Sequence, residues 1–148
     1  GFTFTRKKLT VSEKSMARLK SELRRLTGRS WGVSMDYRHY RIRTYLQGWM
    51  NYFGVAVKYN AAVEMDHWLR RRVRMCYWKQ WRSTRAKISH LLALGVGKRT
   101  AILTGVSGKS FWHLSRSMAT QTGMTNDWLK QQGLVSIRDL WMKAHGYT

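Results

Sequence analysis

Apolar residues recur every three or four positions along most of this chain, the spacing of helices that bury one face. Met16, Leu19, Leu23 and Leu26 form the first stripe. Thr10-Val11-Ser12-Glu13 precedes it and reads as a capping box, a hydroxyl at the N-cap answered by a carboxylate three residues on. Thr27-Gly28-Arg29-Ser30 ends that helix and opens a loop through Gly32. Ile42, Tyr45, Leu46, Trp49, Phe53 and Ala56 predict a second helix beginning near 34–36. Gly48 inside it costs about 1 kcal/mol relative to alanine and is expected to admit close packing of another helix. The third helix, over 61–82, carries Met65, Leu69, Val73, Cys76 and Gln80 along one edge, widened by Trp68, Tyr77, Trp78 and Trp81.

Shorter helices are predicted over 84–94, with Ile88, Leu91 and Leu92 inward, and over 98–103, followed by a loop over 105–110. Phe111, Trp112 and Leu114, a turn at Gly123, a helix over 126–132 stopped by Gly133, and a last helix through Ile137, Leu140 and Trp141 complete the chain. Only the start changes period: Phe2 and Phe4 alternate with threonines as a strand does. So short a strand needs partners, expected in a part of the protein not included here, because Gly1-Phe2-Thr3-Phe4-Thr5 is neither an initiator methionine nor a signal peptide. The predicted fold class is all-α, a helical bundle with a short residual N-terminal β-strand.

Charge changes this picture most. Lys and Arg number 28 against seven acids, a net +21 over 148 residues. Self-repulsion on that scale calls for a polyanionic partner, well beyond what solubility requires. Hydrophobic residues make up 43 % of the chain and eight residues are tryptophan, which excludes a disordered basic tail. A single cysteine, Cys76, excludes an intramolecular disulfide and a multi-cysteine zinc site. No apolar run approaches the roughly 18 residues of a membrane span. The lone cysteine fits a reducing compartment, and no membrane partner is expected.

Catalytic constellations are wanting. Gly105-Val106-Ser107-Gly108-Lys109-Ser110 has two residues between its glycines where a phosphate-binding P-loop needs four, so it reads as a flexible basic loop. The five histidines stand singly, without the helical spacing of a metal site. Glu64 and Asp66, the closest acids, diverge on a helix. No cofactor is expected in this chain.

What remains is arginine interleaved with aromatics. Tyr37-Arg38-His39-Tyr40-Arg41-Ile42-Arg43 is one block, Arg70 through Trp81 and Arg82 a second, and Phe111 through Arg116 a third. Cations neutralise phosphates, while exposed rings and guanidinium planes stack on unpaired bases. Most of these aromatics are needed for the core; Tyr37 and Tyr40 are expected at the surface. Arg70, Arg71, Arg72 and Arg74 span most of a helical turn, so at least two are expected to point outward and bind anions. Lys14, Arg18 and Arg25 share a face of the first helix.

In order along the chain, several motifs resemble the thumb (maturase, or X) region of group II intron reverse transcriptases. Gly1-Phe2-Thr3-Phe4 is similar to the end of that family's palm, which places 1–10 in the palm and 11–148 in the thumb. Ser12-Glu13-Lys14-Ser15 with Leu26-Thr27 resembles its first thumb helix. Leu46-Gln47-Gly48-Trp49-Met50-Asn51-Tyr52-Phe53 matches a family signature, with Gln47 where arginine is usual. Asp66 through Arg72, continuing to Trp78-Lys79-Gln80-Trp81, resembles a second. Leu94-Gly95, Lys109-Ser110-Phe111-Trp112 and Trp128 through Leu134 resemble a third, with Ser110 where glycine is common.

The resemblance implies a helical bundle that closes over a template–primer RNA/DNA duplex and, in splicing, grips the intron RNA. Lys14, Arg18 and Arg25 would face the duplex; Arg70, Arg71, Arg72, Arg74 and Lys79 would contact RNA backbone. With Arg38, Arg41, Arg82, Lys109 and Arg116 from the aromatic blocks and the basic loop, these are the candidate nucleic-acid contacts. The aspartates that hold polymerase Mg2+ belong to the palm, so the fingers and palm, on the same or a separate chain, are implied partners. Two rival readings are a general binder of structured RNA, such as a ribosome-associated protein, and a membrane-active cationic amphipath.

Overall fold

In a computed structural model, residues 1–5 and 8–147 are described, and the side chains of residues 3–5 and 8 are not. The chain opens with β1 (Phe2–Thr5) and β2 (Lys8–Val11), an antiparallel pair in which Phe2 faces Val11 and Thr5 faces Lys8. The expected partner in a missing part of the protein is thus replaced by the next segment of the same chain. Phe2 packs its ring 4.9 Å from Phe53 and 5.3 Å from Tyr52; the Phe4 side chain lies outside the described residues.

The rest is helical: α1 (Glu13–Leu26), α2 (Met35–Phe53), a 3-10 turn (Gly54–Ala56), α3 (Tyr59–Gln80), α4 (Thr84–Ala93), α5 (Lys98–Gly105), α6 (Phe111–Leu114), α7 (Met118–Gly123), α8 (Asn126–Gln131) and α9 (Ile137–Ala144). Short polar residues start them. Ser12, Ser34, Ser83, Ser110, Ser117, Thr125 and Ser136 each accept a hydrogen bond from the backbone N–H three residues on, answering orphan donors of the first turn. The first cap is therefore Ser12, not Thr10, which belongs to β2.

α3 is the axis of the core. Leu69, Val73 and Trp78 are fully enclosed, with Ala62, Met65, Cys76 and Tyr77 beside them. They meet Leu19, Leu23 and Leu26 of α1, Ile42 and Leu46 of α2, and Leu114, Met124, Leu129 and Ile137 from the C-terminal third. Two expectations fail here. Leu92 is 43 % exposed rather than inward. Gly48 is exposed with open space around it, so it admits no second helix. Close approaches are instead at Gly54, where an added Cβ would sit 2.9 Å from the Ala144 Cβ of α9, and at Gly105 of α5, where it would run into Ile88 of α4.

Candidate nucleic-acid interface

A helix leaves its last four carbonyls without partners, and α1 meets that demand with arginines from two other helices. Arg38 of α2 donates through Nη1 to the carbonyls of Leu26 (2.8 Å) and Gly28 (3.1 Å), and through Nη2 to Trp31 (3.0 Å). Arg72 of α3 donates through Nε to the Thr27 hydroxyl (2.9 Å) and through Nη2 to the carbonyls of Arg24 (3.3 Å) and Thr27 (3.4 Å). Cys76 Sγ donates to the Thr27 carbonyl at 3.2 Å. Cations suit this end of a helix, where the backbone dipole is negative. The turn after α1 is thereby fixed, and with it the loop that carries Arg29 and Trp31.

That loop begins a run of stacked arginines and rings. Trp31 and Tyr37 meet edge to face at 5.9 Å, and Tyr37 lies 6.4 Å from Tyr40. Arg38 and Arg41 lie over the Trp31 ring at 5.3 and 5.7 Å, and Arg43 over Tyr40 at 5.9 Å. Arg41 also donates to the Tyr37 hydroxyl at 3.0 Å. As expected, Tyr37 and Tyr40 are exposed, at 42 % and 52 %. On the other side of Thr27, Arg24 and Arg72 both lie over the half-buried Trp68, at 5.6 and 5.8 Å. Burial lowers the pKa of Arg72, and the neighbouring cations Arg24, Arg29 and Arg38 lower it further. Positive charge is thus concentrated around the end of α1.

In the run on α3 each guanidinium already has partners within the chain, although Arg70, Arg71 and Arg72 are only half-buried. Arg70 meets His67 Nδ1 at 3.0 Å and lies 3.9 Å from the Asp66 carboxylate. Arg71 donates to the Trp112 carbonyl (2.9 Å) and to Ser115 Oγ (3.1 Å), with its guanidinium 3.6 Å from the Trp112 ring centroid. Arg74 is buried and donates to the Met124 carbonyl (2.8 Å) and Asn126 Oδ1 (2.9 Å); burial brings its pKa down to about 10. For Arg71 and Arg74 the physical reason is that the short α6 and α7 leave carbonyls at Trp112 and Met124 that need donors, and α3 supplies them. Arg38, expected as a contact, is likewise enclosed.

Apart from the half-buried Arg41, the other candidates are open. Lys14, Arg18, Lys79, Arg82, Lys109 and Arg116 are exposed, and Arg25 is exposed but paired with Glu22 at 2.5 Å. Arg116 is close enough to Arg71 to lower its pKa, after burial itself. Sequence reading missed Arg24, Arg29, Trp31 and Trp68 as members of the site. A tryptophan beside arginine in a glycine-flanked loop, Arg29-Ser30-Trp31-Gly32, was the available signal. Asp66, half of the discounted metal pair, caps α9 by accepting from the backbone N–H groups of Ile137 (2.6 Å) and Arg138 (2.8 Å).

The family profile described as Group II intron, maturase-specific domain matches residues 16–94, more than half of the chain. The chain belongs to that family. The matched segment of this maturase-specific domain runs from α1 to just past α4 and contains the whole arginine–aromatic corner: Arg24, Arg29, Trp31, Arg38, Tyr40, Trp68 and Arg72. No curated protein matches the sequence. Among the described residues of the maturase domain, no helix is long and apolar enough to cross a membrane.

Proposed function

We propose that this maturase domain binds group II intron RNA for splicing, and that in a reverse transcriptase it grips the template–primer duplex as a thumb. The observation that carries the reading is the corner of α1, α2 and α3, where the exposed Arg24 and Arg29, on a turn held by Arg38 and Arg72, stand beside the exposed Tyr37–Tyr40 face. Fixed cations and accessible rings are the two components of single-strand and loop recognition in RNA. The exposed Lys14 and Arg18, one turn apart on α1, add a phosphate-reading edge, and Lys79, Arg82, Lys109 and Arg116 extend it. On this reading residues 1–10 are the end of the palm, the polymerase Mg2+ is held by aspartates of that palm, and fingers and palm are partners. The setting is a bacterial cytoplasm or an organelle, and retrohoming is the process that joins the two activities.

The test is binding of the chain to a group II intron RNA and to an unrelated structured RNA of equal length, at low and near-physiological salt. A preference for the intron RNA that survives the higher salt supports the reading. Equal affinities that collapse together identify a general electrostatic binder of structured RNA, and absence of binding rejects the proposal altogether.

A further inference from the structure

Beside the pinned loop lies a cleft of about 630 Å³, bounded by the loop after α1, the start of α2 and the end of α3. Its size falls within the range of small-molecule sites. Arg29, Lys79 and Arg82 stand on its rim and are exposed, Trp31 and Phe111 contribute half-buried rings, and Arg38 lines it from within. No acid lines this cleft, whereas the neighbouring groove of about 400 Å³ between α3 and α9 contains Asp66, Asp127 and Asp139.

Arg38 supplies the second observation. It is 4 % exposed, and its Nε has no hydrogen-bond partner among the described residues, although both terminal nitrogens are engaged. No carboxylate lies within ion-pair distance of it among those residues. A buried cation balanced only by carbonyls leaves positive potential that an entering anion would relieve.

We propose that this cleft receives one unpaired nucleotide of a bound RNA, its base against Trp31 and Phe111 and its phosphate between Arg29, Lys79 and Arg82. The inference rests on the RNA-binding reading above and narrows it to an extruded residue rather than a continuous duplex. The volume admits a nucleotide, while a paired helix is far too wide to enter. Mixed ring and cation walls are the composition that stacks a base and holds its phosphate.

The experiment uses the full chain and two RNA hairpins identical except for one bulged 2-aminopurine nucleotide, whose fluorescence reports stacking. The bulged hairpin is expected to bind roughly tenfold more tightly, the effect of one base–aromatic stack, with quenching of the probe. The double variant Arg29→Glu/Lys79→Glu, exposed at both positions, is expected to bring that ratio to about one and abolish quenching. Charge reversal at the remote, exposed Lys98 and Arg99 should weaken both hairpins and leave the ratio intact. Trp31→Leu should also erase the ratio, with circular dichroism checking its fold. Equal binding of the two hairpins by the native chain overturns the cleft proposal alone. A ratio that survives Arg29→Glu/Lys79→Glu does the same, and failure to bind either hairpin overturns the RNA-binding reading with it.

Discussion

Arg72 crosses from the middle of α3 to hydrogen-bond the Thr27 hydroxyl at 2.9 Å, where α1 stops and the Trp31 loop begins. This contact ties the core helix to the corner that carries the exposed rings. Replacing Arg72 with alanine removes its hydrogen bonds to the Thr27 hydroxyl and to the Arg24 and Thr27 carbonyls, leaving the Thr27 carbonyl, among the described residues, only the Cys76 thiol as donor. The change is expected to cost about 2 kcal/mol of unfolding free energy. Urea denaturation measures this. Lysine should restore less than half of the loss, because one ammonium cannot reproduce the fork.

Two glycines should respond in opposite directions. An added methyl at Gly54 meets Ala144 Cβ at 2.9 Å, so Gly54→Ala is expected to destabilise by about 1–3 kcal/mol through overpacking. Gly48 has nothing within 4 Å of its missing Cβ, and Gly48→Ala is expected to stabilise α2 by up to about 1 kcal/mol. Thermal unfolding of the pair decides; equal effects would contradict the packing described.

His39 makes stability depend on pH. It is 1 % exposed, its Nε2 lies 2.8 Å from the Tyr77 hydroxyl, and its Nδ1 has no hydrogen-bond partner among the described residues. Burial first, with Arg38 and Arg43 reinforcing it and Asp36 opposing, drives its pKa from 6.5 to about 4. Between those values the unfolded chain takes a proton that the folded chain refuses, so stability falls as pH drops from about 6.5 to 4, by up to about 3 kcal/mol. Unfolding curves across this window should show the slope, and His39→Gln should flatten it.

The salt dependence of RNA binding should separate open from committed cations. Removing the exposed Arg18 is expected to reduce the slope of log K against log salt by about 0.7–0.9, one phosphate's worth. Arg74→Met should leave that slope unchanged and cost about 2–3 kcal/mol of stability, since it strips a buried donor from Met124 and Asn126. A slope change in Arg74→Met would mean that this guanidinium reaches RNA after all.

The long helices were legible because Leu19, Leu23 and Leu26, or Leu69, Val73 and Cys76, repeat at a period that only one conformation can bury. The Ser34 start was legible for the same local reason, since a cap is satisfied within its own turn. The direction of Arg71, Arg72 and Arg74 was not, because it depends on acceptors about 40–50 residues away in sequence. Spacing reveals that a helix has a charged face; it does not reveal which distant helix ends need donors. α7, Met118–Gly123, escaped notice because its buried residues, Ala119, Thr120 and Gly123, include no large apolar side chain to mark a stripe. Of the site, the exposed Tyr37 and Tyr40 were readable, while the loop residues Arg29 and Trp31 owe their place to Arg38.

The polar arms of α3 have a consequence for how the chain is made. Asp66, Arg71, Arg74 and Trp78 hold Ile137, Trp112, Met124 and Thr120, all from the last third. During synthesis α3 is complete well before those partners have left the ribosome, so the part of its surface that they cover waits open in the meantime, while α1 and α2 are already present to cover the rest. Over that interval the cationic surface has a second use: like-charged nascent chains repel one another, and the unfinished bundle is kept from pairing with its neighbours on the polysome.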